Sequence, residues 1–274
     1  MNILKFAVVS MCVAFSAVTV LGDQAAEKKS APSQRKAMRR KPAAKAVFSD
    51  ATVAVERLNV KNKKTGKLWW KELHEADLAE IKTSGGSYDL VLLGDSITHR
   101  WERKGFGSNV LARLKEKYSV LNLGIGADMT GHVLWRITEG GELDGYKAKV
   151  VSLMIGTNNA RRHKPENVAA AVKKIIDIIR EKQPQAKIVL TAILPRYGEA
   201  ADRIAMRKNN DAVNAAIKGY ADSENIFWLD LNPKYPALDG DWKKVCPDGT
   251  HPVEPGYEIW ESELAPYLKK YCGK

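Results

Sequence analysis

The 274-residue sequence predicts an α/β fold in which helices cover both faces of a five-stranded parallel sheet, giving a three-layer α/β/α sandwich. Three observations predict this fold: short apolar runs of strand length, longer runs with helical periodicity, and the alternation of the two along the chain. The composition is 45% hydrophobic and 28% charged, as in globular proteins. It therefore excludes a wholly disordered chain, a collagen-like repeat and a multi-span membrane protein.

Five apolar runs have the length and composition of buried strands. The first ends at Gly94, a residue that commonly closes a strand at a tight turn. The five predicted strands are residues 88–93, 120–123, 150–155, 188–193 and 226–229.

Longer segments between these runs repeat their apolar residues at helical spacing. The clearest is the segment 166–183, in which a period of 3.6 residues connects Val168, Ala171, Val172, Ile175, Ile176 and Ile179. The predicted helices are residues 109–118, 129–138, 166–183 and 202–222, with a last one that follows Glu254 and runs towards Tyr271. Strands that alternate with helices favour parallel pairing, because each helix carries the chain back to the start of the next strand.

The amino-terminal segment has the pattern of a secretory signal peptide. Lys5 supplies a positive charge, and the 17 residues 6–22 that follow carry none. This run is shorter than the roughly 18–20 apolar residues that span a bilayer, so it predicts a signal peptide over residues 1–22 and an exported protein. An uncleaved anchor is the alternative.

Residues 23–46 are rich in Ala, Lys, Arg, Pro and Ser and predict a disordered basic linker. The segment 1–46 contributes +7 to the net charge of +12, so residues 47–274 are only mildly basic. No nucleic-acid partner is predicted, because no motif with interleaved aromatic residues follows the tail. A tether, or a weak attachment to an anionic surface, is the interpretation that the tail favours.

Polar residues follow several of the predicted strands at the point where each strand ends. Ser96 and Asn158 follow the first and third strands, the segment 124–128 follows the second, and Asp230 follows the fifth. Ligands bind parallel sheets beyond the carboxyl ends of the strands, so these residues are candidates for one site. Each also has an ordinary explanation, because Asp, Ser and Asn are common helix caps and turn residues.

A loop near the end of the sequence contains an aspartate and a histidine, the side chains that activate a catalytic serine. Asp248 precedes His251 by three residues, so its carboxylate could hold Nδ1 of the imidazole and leave Nε2 free to accept a serine proton. An exposed loop histidine beside a turn aspartate is the alternative. The side-chain amide of Asn158 could donate to an oxyanion, together with backbone N–H groups of Ser96 and of the Gly126-Ala127 loop. The chain has no Gly-x-Ser-x-Gly elbow, which excludes the usual α/β-hydrolase arrangement.

Four ordered blocks resemble those of the GDSL/SGNH hydrolases, and the resemblance covers the chain from about Trp69 onwards. The blocks are Gly94-Asp95-Ser96-Ile97, the loop 122–128, Gly156-Thr157-Asn158 and Asp248-x-x-His251. Within that superfamily, the segments 132–136 and 156–159 look like the platelet-activating-factor acetylhydrolase catalytic-subunit branch, whose secreted bacterial relatives include carbohydrate esterases.

The resemblance implies a flavodoxin-like hydrolase domain over residues 47–274 and a serine esterase that needs no metal or other cofactor. Ser96 would be the nucleophile, His251 the general base and then acid, and Asp248 its orienting partner. Asn158 and the backbone N–H groups of Ser96 and Ala127 would form the oxyanion hole. The residue before Asp128 is often Gly in this superfamily, so a positive φ at Ala127 would be strained.

The resulting hypothesis is an exported esterase that removes short acyl groups, acetyl first, from a small-molecule or polysaccharide ester. A lipid-directed acetylhydrolase and a non-catalytic surface-binding protein are the alternatives. No stable membrane insertion is expected after signal cleavage, and the oligomeric state stays open. Trp69 or Trp70 could line a sugar-binding wall, and His99 could border the pocket. Whether Cys246 and Cys272 form a disulfide is not decided by the sequence.

Overall fold

Five parallel strands form the centre of the structure, in the spatial order β2-β1-β3-β4-β5. The computed structural model describes residues 50–58, 66, 68–83, 85–235 and 241–273, and the predicted signal peptide and linker lie outside the described residues. The strands are β1 (Ser87–Gly94), β2 (Val120–Gly124), β3 (Lys147–Met154), β4 (Lys187–Thr191) and β5 (Ile226–Leu229). The five-stranded parallel sheet predicted from the sequence is confirmed.

Seven α-helices accompany the strands within the described residues. They are α1 (Trp69–Thr83), α2 (Ser96–His99), α3 (Ser108–Lys117), α4 (Thr130–Ile137), α5 (Pro165–Lys182), α6 (Ala201–Ile217) and α7 (Glu254–Cys272). Three short 3₁₀ turns are Arg100–Glu102, Lys218–Tyr220 and Trp242–Lys244.

The sheet buries a separate apolar core on each face. Along β1, Val91 and Leu93 contribute to one core and Leu90 and Leu92 to the other, as the two-residue period of a strand requires. The first core packs against apolar residues of α1, α4, α5 and α6, and the second against α3 and α7. The flavodoxin-like, three-layer α/β/α architecture is therefore observed, and the described residues belong to one compact unit, residues 47–274.

The strand order changes direction at β1, which lies between β2 and β3. The carboxyl ends of these three strands are level, because Gly94 is paired in register with Gly124 on one side and Met154 on the other. Such a switch point is where parallel α/β sheets bind ligands. The fold thus brings the loops after β1, β2 and β3 to one place.

Two helices differ from the sequence prediction. Helix α1 runs over Trp69–Thr83 and was not among the helices predicted from the sequence. Helix α6 ends at Ile217 rather than at residue 222, and a 3₁₀ turn follows it. Beyond that turn the Asp222 carboxylate accepts three backbone N–H groups, from residues 224, 225 and 226. These bonds fix a turn before β5, and the 3₁₀ turn Lys218–Tyr220 takes the place of the last α-helical turn that the sequence had predicted.

Cys246 and Cys272 are both buried, and neither is part of a disulfide. Burial raises the pKa of the Cys246 thiol to about 12. The disulfide that the sequence left open is therefore not formed in this structure. Among the helices of the described residues, none combines the length and the apolar character that crossing a membrane requires.

Candidate active site

The turn after β1 holds Ser96 at the start of α2. A Cβ atom at Gly94 would collide with Thr98 Oγ1 and the carbonyl oxygen of Met154, so only glycine allows this close approach. Asp95 caps the helix, since its Oδ1 accepts the backbone N–H of Ile97 at 2.9 Å. Ser96 is the first helical residue, where the backbone N–H has no partner within the helix.

Ser96, His251 and Asp248 form a continuous chain of hydrogen bonds. Ser96 Oγ lies 2.9 Å from His251 Nε2, and His251 Nδ1 lies 2.7 Å from Asp248 Oδ2. The carboxylate is acceptor-only, so Nδ1 carries the proton and Nε2 is free to accept one. The structure thus brings together three residues that the sequence had placed in two loops 152 positions apart, from residue 96 to residue 248.

The environment keeps Asp248 ionised. Burial by itself would raise the pKa of Asp248. Hydrogen bonds to its carboxylate outweigh this effect and lower the pKa to about 2; they come from the backbone N–H and side chain of His251 and from the backbone N–H of Thr250. The Oδ1 atom accepts those backbone N–H groups at 2.7 and 2.8 Å. A half-exposed carboxylate is therefore held in a fixed orientation by its own loop.

His251 is kept neutral near neutral pH. Burial lowers the pKa of the His251 imidazole, and the charges of Arg100 and Arg196 lower it further, whereas Asp248 raises it. A neutral imidazole beside a hydroxyl can act as a general base.

Three arginines stabilise the loop that carries His251. Arg203 donates to the carbonyl oxygens of Asp248 and Gly249, both at 3.0 Å, and Arg196 donates to Thr250 Oγ1 at 3.0 Å. Arg100 Nη1 lies 3.6 Å from Asp248 Oδ2. Sequence reasoning had missed these residues. The one signal in the sequence that could have identified Arg196 is its position just after a predicted strand, where parallel sheets bind ligands.

Asn158 lies in the loop that follows β3 and lines the same cavity as Ser96 and His251. Its Nδ2 donates to the carbonyl oxygen of Asp128 at 2.9 Å, and its Oδ1 accepts from Arg196 Nη2 at 3.3 Å. Because Arg196 can only donate, the amide oxygen faces the arginine and the amide nitrogen faces the loop after β2. Nδ2 has a second hydrogen that can donate to a ligand.

Ala127 has a φ of 61°, in the left-handed region that favours glycine. This is the conformation for which the sequence had predicted strain, and an alanine there costs roughly 1–2 kcal/mol. Ala127 lines the same cavity as Ser96 and Asn158. Strained backbone of this kind is frequently found at functional sites.

A buried network of charged and aromatic side chains lies beneath the Ala127 loop. Asp128 accepts from Trp70 Nε1 at 2.7 Å and from Arg136 Nε at 3.0 Å. Arg136 also donates to the carbonyl oxygens of Gly94 and Leu123 at 3.2 and 3.0 Å, and it pairs with Glu142. Arg136 therefore connects the ends of β1 and β2 to Asp128, in the loop that follows β2. The sequence had indicated residues 128 and 136 only as parts of motifs.

These groups surround a cavity of about 370 Å³ at the carboxyl edge of the sheet. It is lined by Trp69, Ser96, His99, Arg100, Arg103, Gly126, Ala127, Asn158, Arg196, Thr250 and His251. Asp230, a sequence candidate for this edge, is exposed outside the cavity, and its Oδ1 accepts the backbone N–H of Asn232 at 3.0 Å. Among the described residues, no cluster of three His, Cys, Asp or Glu side chains could hold a metal ion.

Comparison with known proteins places the chain among acylhydrolases. Residues 92–259 match the model of the GDSL-like Lipase/Acylhydrolase family. The platelet-activating factor acetylhydrolase IB subunit alpha1 of Bos taurus is 34% identical over 173 residues, which are 62% of this chain and 69% of the relative. The alpha2 subunit of Rattus norvegicus is 33% identical over 172 residues, with 62% and 70% covered.

Solved structures share the fold. A GDSL-like lipase from Bacteroides thetaiotaomicron aligns with a TM-score of 0.56 and 19% identity, covering 72% of this chain and 97% of that one. The acetylxylan esterase Axe2 from Geobacillus stearothermophilus aligns with a TM-score of 0.52 and 20% identity, covering 67% and 95%.

Proposed function

This chain belongs to the GDSL-like Lipase/Acylhydrolase family and is a hydrolytic esterase, and we propose that it removes short acyl groups, acetyl first, from carbohydrate. The observation that carries the proposal is the hydrogen-bonded chain Ser96–His251–Asp248, whose serine and histidine line the same small cavity as Ala127 and Asn158. This is the arrangement that acyl transfer through a serine requires.

In the proposed first step, Ser96 Oγ attacks the ester carbonyl carbon while His251 Nε2 accepts the hydroxyl proton. The carbonyl oxygen becomes an oxyanion that accepts hydrogen bonds from the backbone N–H groups of Ser96 and Ala127 and from Asn158 Nδ2. His251 then protonates the leaving alcohol oxygen as its bond to the acyl carbon breaks, which leaves an acyl-serine.

In the second step, a water molecule loses a proton to His251 and attacks the acyl carbon of the acyl-serine. The collapse of this second tetrahedral intermediate returns the proton to Ser96 Oγ and releases the carboxylic acid. Asp248 stays ionised throughout, because its pKa of about 2 lies far below neutral pH, and it stabilises the imidazolium that forms twice in each cycle.

The cavity is small, and most of the side chains that line it have polar groups that could bind a polar alcohol. Apart from Trp69 and Ala127, the described residues that line the cavity are polar, charged or glycine. Trp69 offers one aromatic surface on which a sugar ring could pack, as aromatic rings provide a large apolar area. The acetylhydrolase names of the curated relatives favour a second candidate, an acetyl ester on a lipid.

The amino-terminal part of the sequence supports export. We propose that residues 1–22 direct secretion and that residues 23–46 tether the hydrolase domain 47–274, on the basis of the uncharged run and of the basic composition that follows it. The amino-terminal sequence of the protein recovered from outside the cell would test the cleavage site.

Hydrolysis of p-nitrophenyl esters from acetyl to octanoyl tests the acyl preference and the roles of the site residues. We expect the highest kcat/KM for acetyl, loss of activity in Ser96→Ala, and a decrease of roughly 10²–10³-fold in kcat for Asn158→Ala. Ser262→Ala, at an exposed serine in α7, is the matched control and should leave the rates unchanged. Near-wild-type turnover in Asn158→Ala would contradict its role, and a maximum at octanoyl would favour the lipid candidate.

A further inference from the structure

The cavity that contains Ser96 carries positive charge on its walls. Arg100, Arg103 and Arg196 line it, and no acidic side chain does so among the residues that the structure describes. A cleft lined by one sign of charge raises the local concentration of ligands of the opposite sign. The arginines should therefore favour esters that carry a negative charge.

The three arginines are not equivalent. Arg196 uses its donors inside the protein, on the hydroxyl and carbonyl of Thr157, on Asn158 and on Thr250. Its role is to position the loops around the site.

Arg100 and Arg103 have few internal partners. Both guanidinium groups lie over the ring of Phe106, at 4.4 and 5.5 Å from its centroid, and Arg100 also approaches Asp248. Arg103 is exposed and has no hydrogen bond or ion pair with any side chain that the structure describes. The shared aromatic ring restrains both guanidinium groups at the cavity wall and leaves hydrogen-bond donors for a ligand.

The charge of this pair acts inside the cavity. His99 lies on the wall beside them, and burial lowers the pKa of its imidazole, with Arg103 and Arg100 as the next contributors in the same direction. A positive potential that disfavours an imidazolium would favour an anion at the same place.

The position of the pair indicates which half of the substrate carries the anion. Arg100 follows Ser96 by four residues, about 6 Å along a helical path, and it lies on the side of Asp248 and His251. In the proposed mechanism His251 protonates the leaving alcohol, so the alcohol half of the ester occupies that side. In the same mechanism the carbonyl oxygen of the acyl half faces Ala127 and Asn158.

We propose that Arg100 and Arg103 form an anion-binding subsite, and that the substrates are acyl esters of an alcohol that bears a carboxylate or a phosphate next to the ester. This inference rests on the proposed esterase function and narrows its substrate class. A guanidinium pair can bind either anion through charge-assisted hydrogen bonds.

Three acetyl esters with the acetyl group on the same hydroxyl test the subsite. They are those of methyl glucoside, which is neutral, of methyl glucuronoside, which bears a carboxylate, and of methyl glucoside 6-phosphate. We expect wild-type kcat/KM to be about tenfold higher for at least one anionic ester than for the neutral one, the factor of one charge-assisted hydrogen bond. The preference should decrease as ionic strength rises.

Arg103→Gln and the double variant Arg100→Gln/Arg103→Gln should reduce the ratio of anionic to neutral kcat/KM about tenfold or more. Lys104→Gln is the matched control, because it removes the same charge from an exposed neighbour outside the cavity and should keep the ratio. Retention of the preference in the double variant would overturn the assignment to these two arginines.

The possible outcomes distinguish failure of the proposed anion-binding subsite from failure of the proposed esterase function. A preference for the carboxylate ester supports a uronic acid alcohol, and a preference for the phosphate ester supports a phosphorylated one. Equal rates on all three esters, abolished by Ser96→Ala, overturn the subsite and leave the esterase standing. Failure of the folded protein to hydrolyse these esters and p-nitrophenyl acetate overturns the proposed function and the subsite with it.

Discussion

The two sides of the site hold their charged groups in opposite ways. On the His251 side, Asp248 is half-exposed, and hydrogen bonds from its own loop lower its pKa to about 2. On the Ser96 side, Asp95 is almost fully buried, and burial raises its pKa to about 6 although the N–H of Ile97 and the charge of Arg196 oppose this. The half-exposed carboxylate beside His251 is thus held ionised, whereas the buried carboxylate caps the helix that begins at Ser96.

The same contrast extends to the arginines. Arg100 and Arg203 hold the His251 loop from partly exposed positions, whereas Arg136 is completely buried between Asp128 and Glu142. Buried ion pairs are costly to break because the remaining charge has no water around it. We therefore expect substitutions at the partly exposed groups of the His251 loop to change activity, and substitutions at the buried carboxylates and at Arg136 to change stability.

The largest effect should come from Asp248→Asn on the exposed side. An asparagine amide would favour the wrong imidazole tautomer, so we expect kcat on p-nitrophenyl acetate to decrease about 10⁴-fold. The melting temperature should change little, because the side chain is half-exposed. Asp230→Asn, at an exposed carboxylate after β5, is the control that should retain full activity. A decrease of less than tenfold in Asp248→Asn would remove Asp248 from the orienting role.

On the buried side, Arg136→Met should destabilise the fold. Asp128 and Glu142 would be left buried without their partner, so the free energy of unfolding in urea should decrease by about 3–5 kcal/mol. Arg113→Met breaks exposed ion pairs with residues 258 and 261 and should cost little. If Arg136→Met does not fold, Arg136→Lys provides the measurement, and wild-type stability in either variant would show that the network is dispensable.

Asp95→Asn tests the buried carboxylate through pH. In the folded wild type Asp95 binds its proton up to about pH 6, whereas in the unfolded chain it ionises near its ordinary pKa of 3.8. The free energy of unfolding therefore decreases as pH rises through this window. Asparagine keeps the helix cap but cannot ionise, so above pH 6 the variant should be more stable than the wild type by roughly 2–3 kcal/mol. Parallel stability curves for the two proteins across this window would contradict the raised pKa.

The smallest expected effect concerns the strain at Ala127. Glycine adopts a φ of 61° without the steric cost of a Cβ atom, but it adds entropy to the unfolded chain. We expect Ala127→Gly to raise the free energy of unfolding by at most about 1 kcal/mol. Ala170→Gly, at an exposed position within α5, makes the same substitution and should lower it by about 1 kcal/mol. Equal signs for the two variants would mean that Ala127 is not strained.

The sequence motifs predicted which residues the structure brings together, because each motif is local. Gly94, Asp95 and Ser96 are consecutive, and Asp248 and His251 share one turn, so spacing alone restricts their geometry. The end of α6 was predicted less well, because the chain leaves the α-helix after Ile217 and continues as the 3₁₀ turn Lys218–Tyr220. Asp230 was assigned to the site edge from its position after a strand, and its side chain lies outside the cavity.

The sequence by itself determined the layered fold and the chemical types at the carboxyl edge of the sheet, since strand and helix periods and short motifs are local patterns. Only the tertiary structure decided that Arg196 faces the amide oxygen of Asn158, that Arg136 connects the ends of β1 and β2 to Asp128, and that Arg100 and Arg103 share one aromatic ring at the cavity wall. A long arginine side chain can reach many partners, and its charge is satisfied by groups distant in sequence that packing brings within a few ångströms.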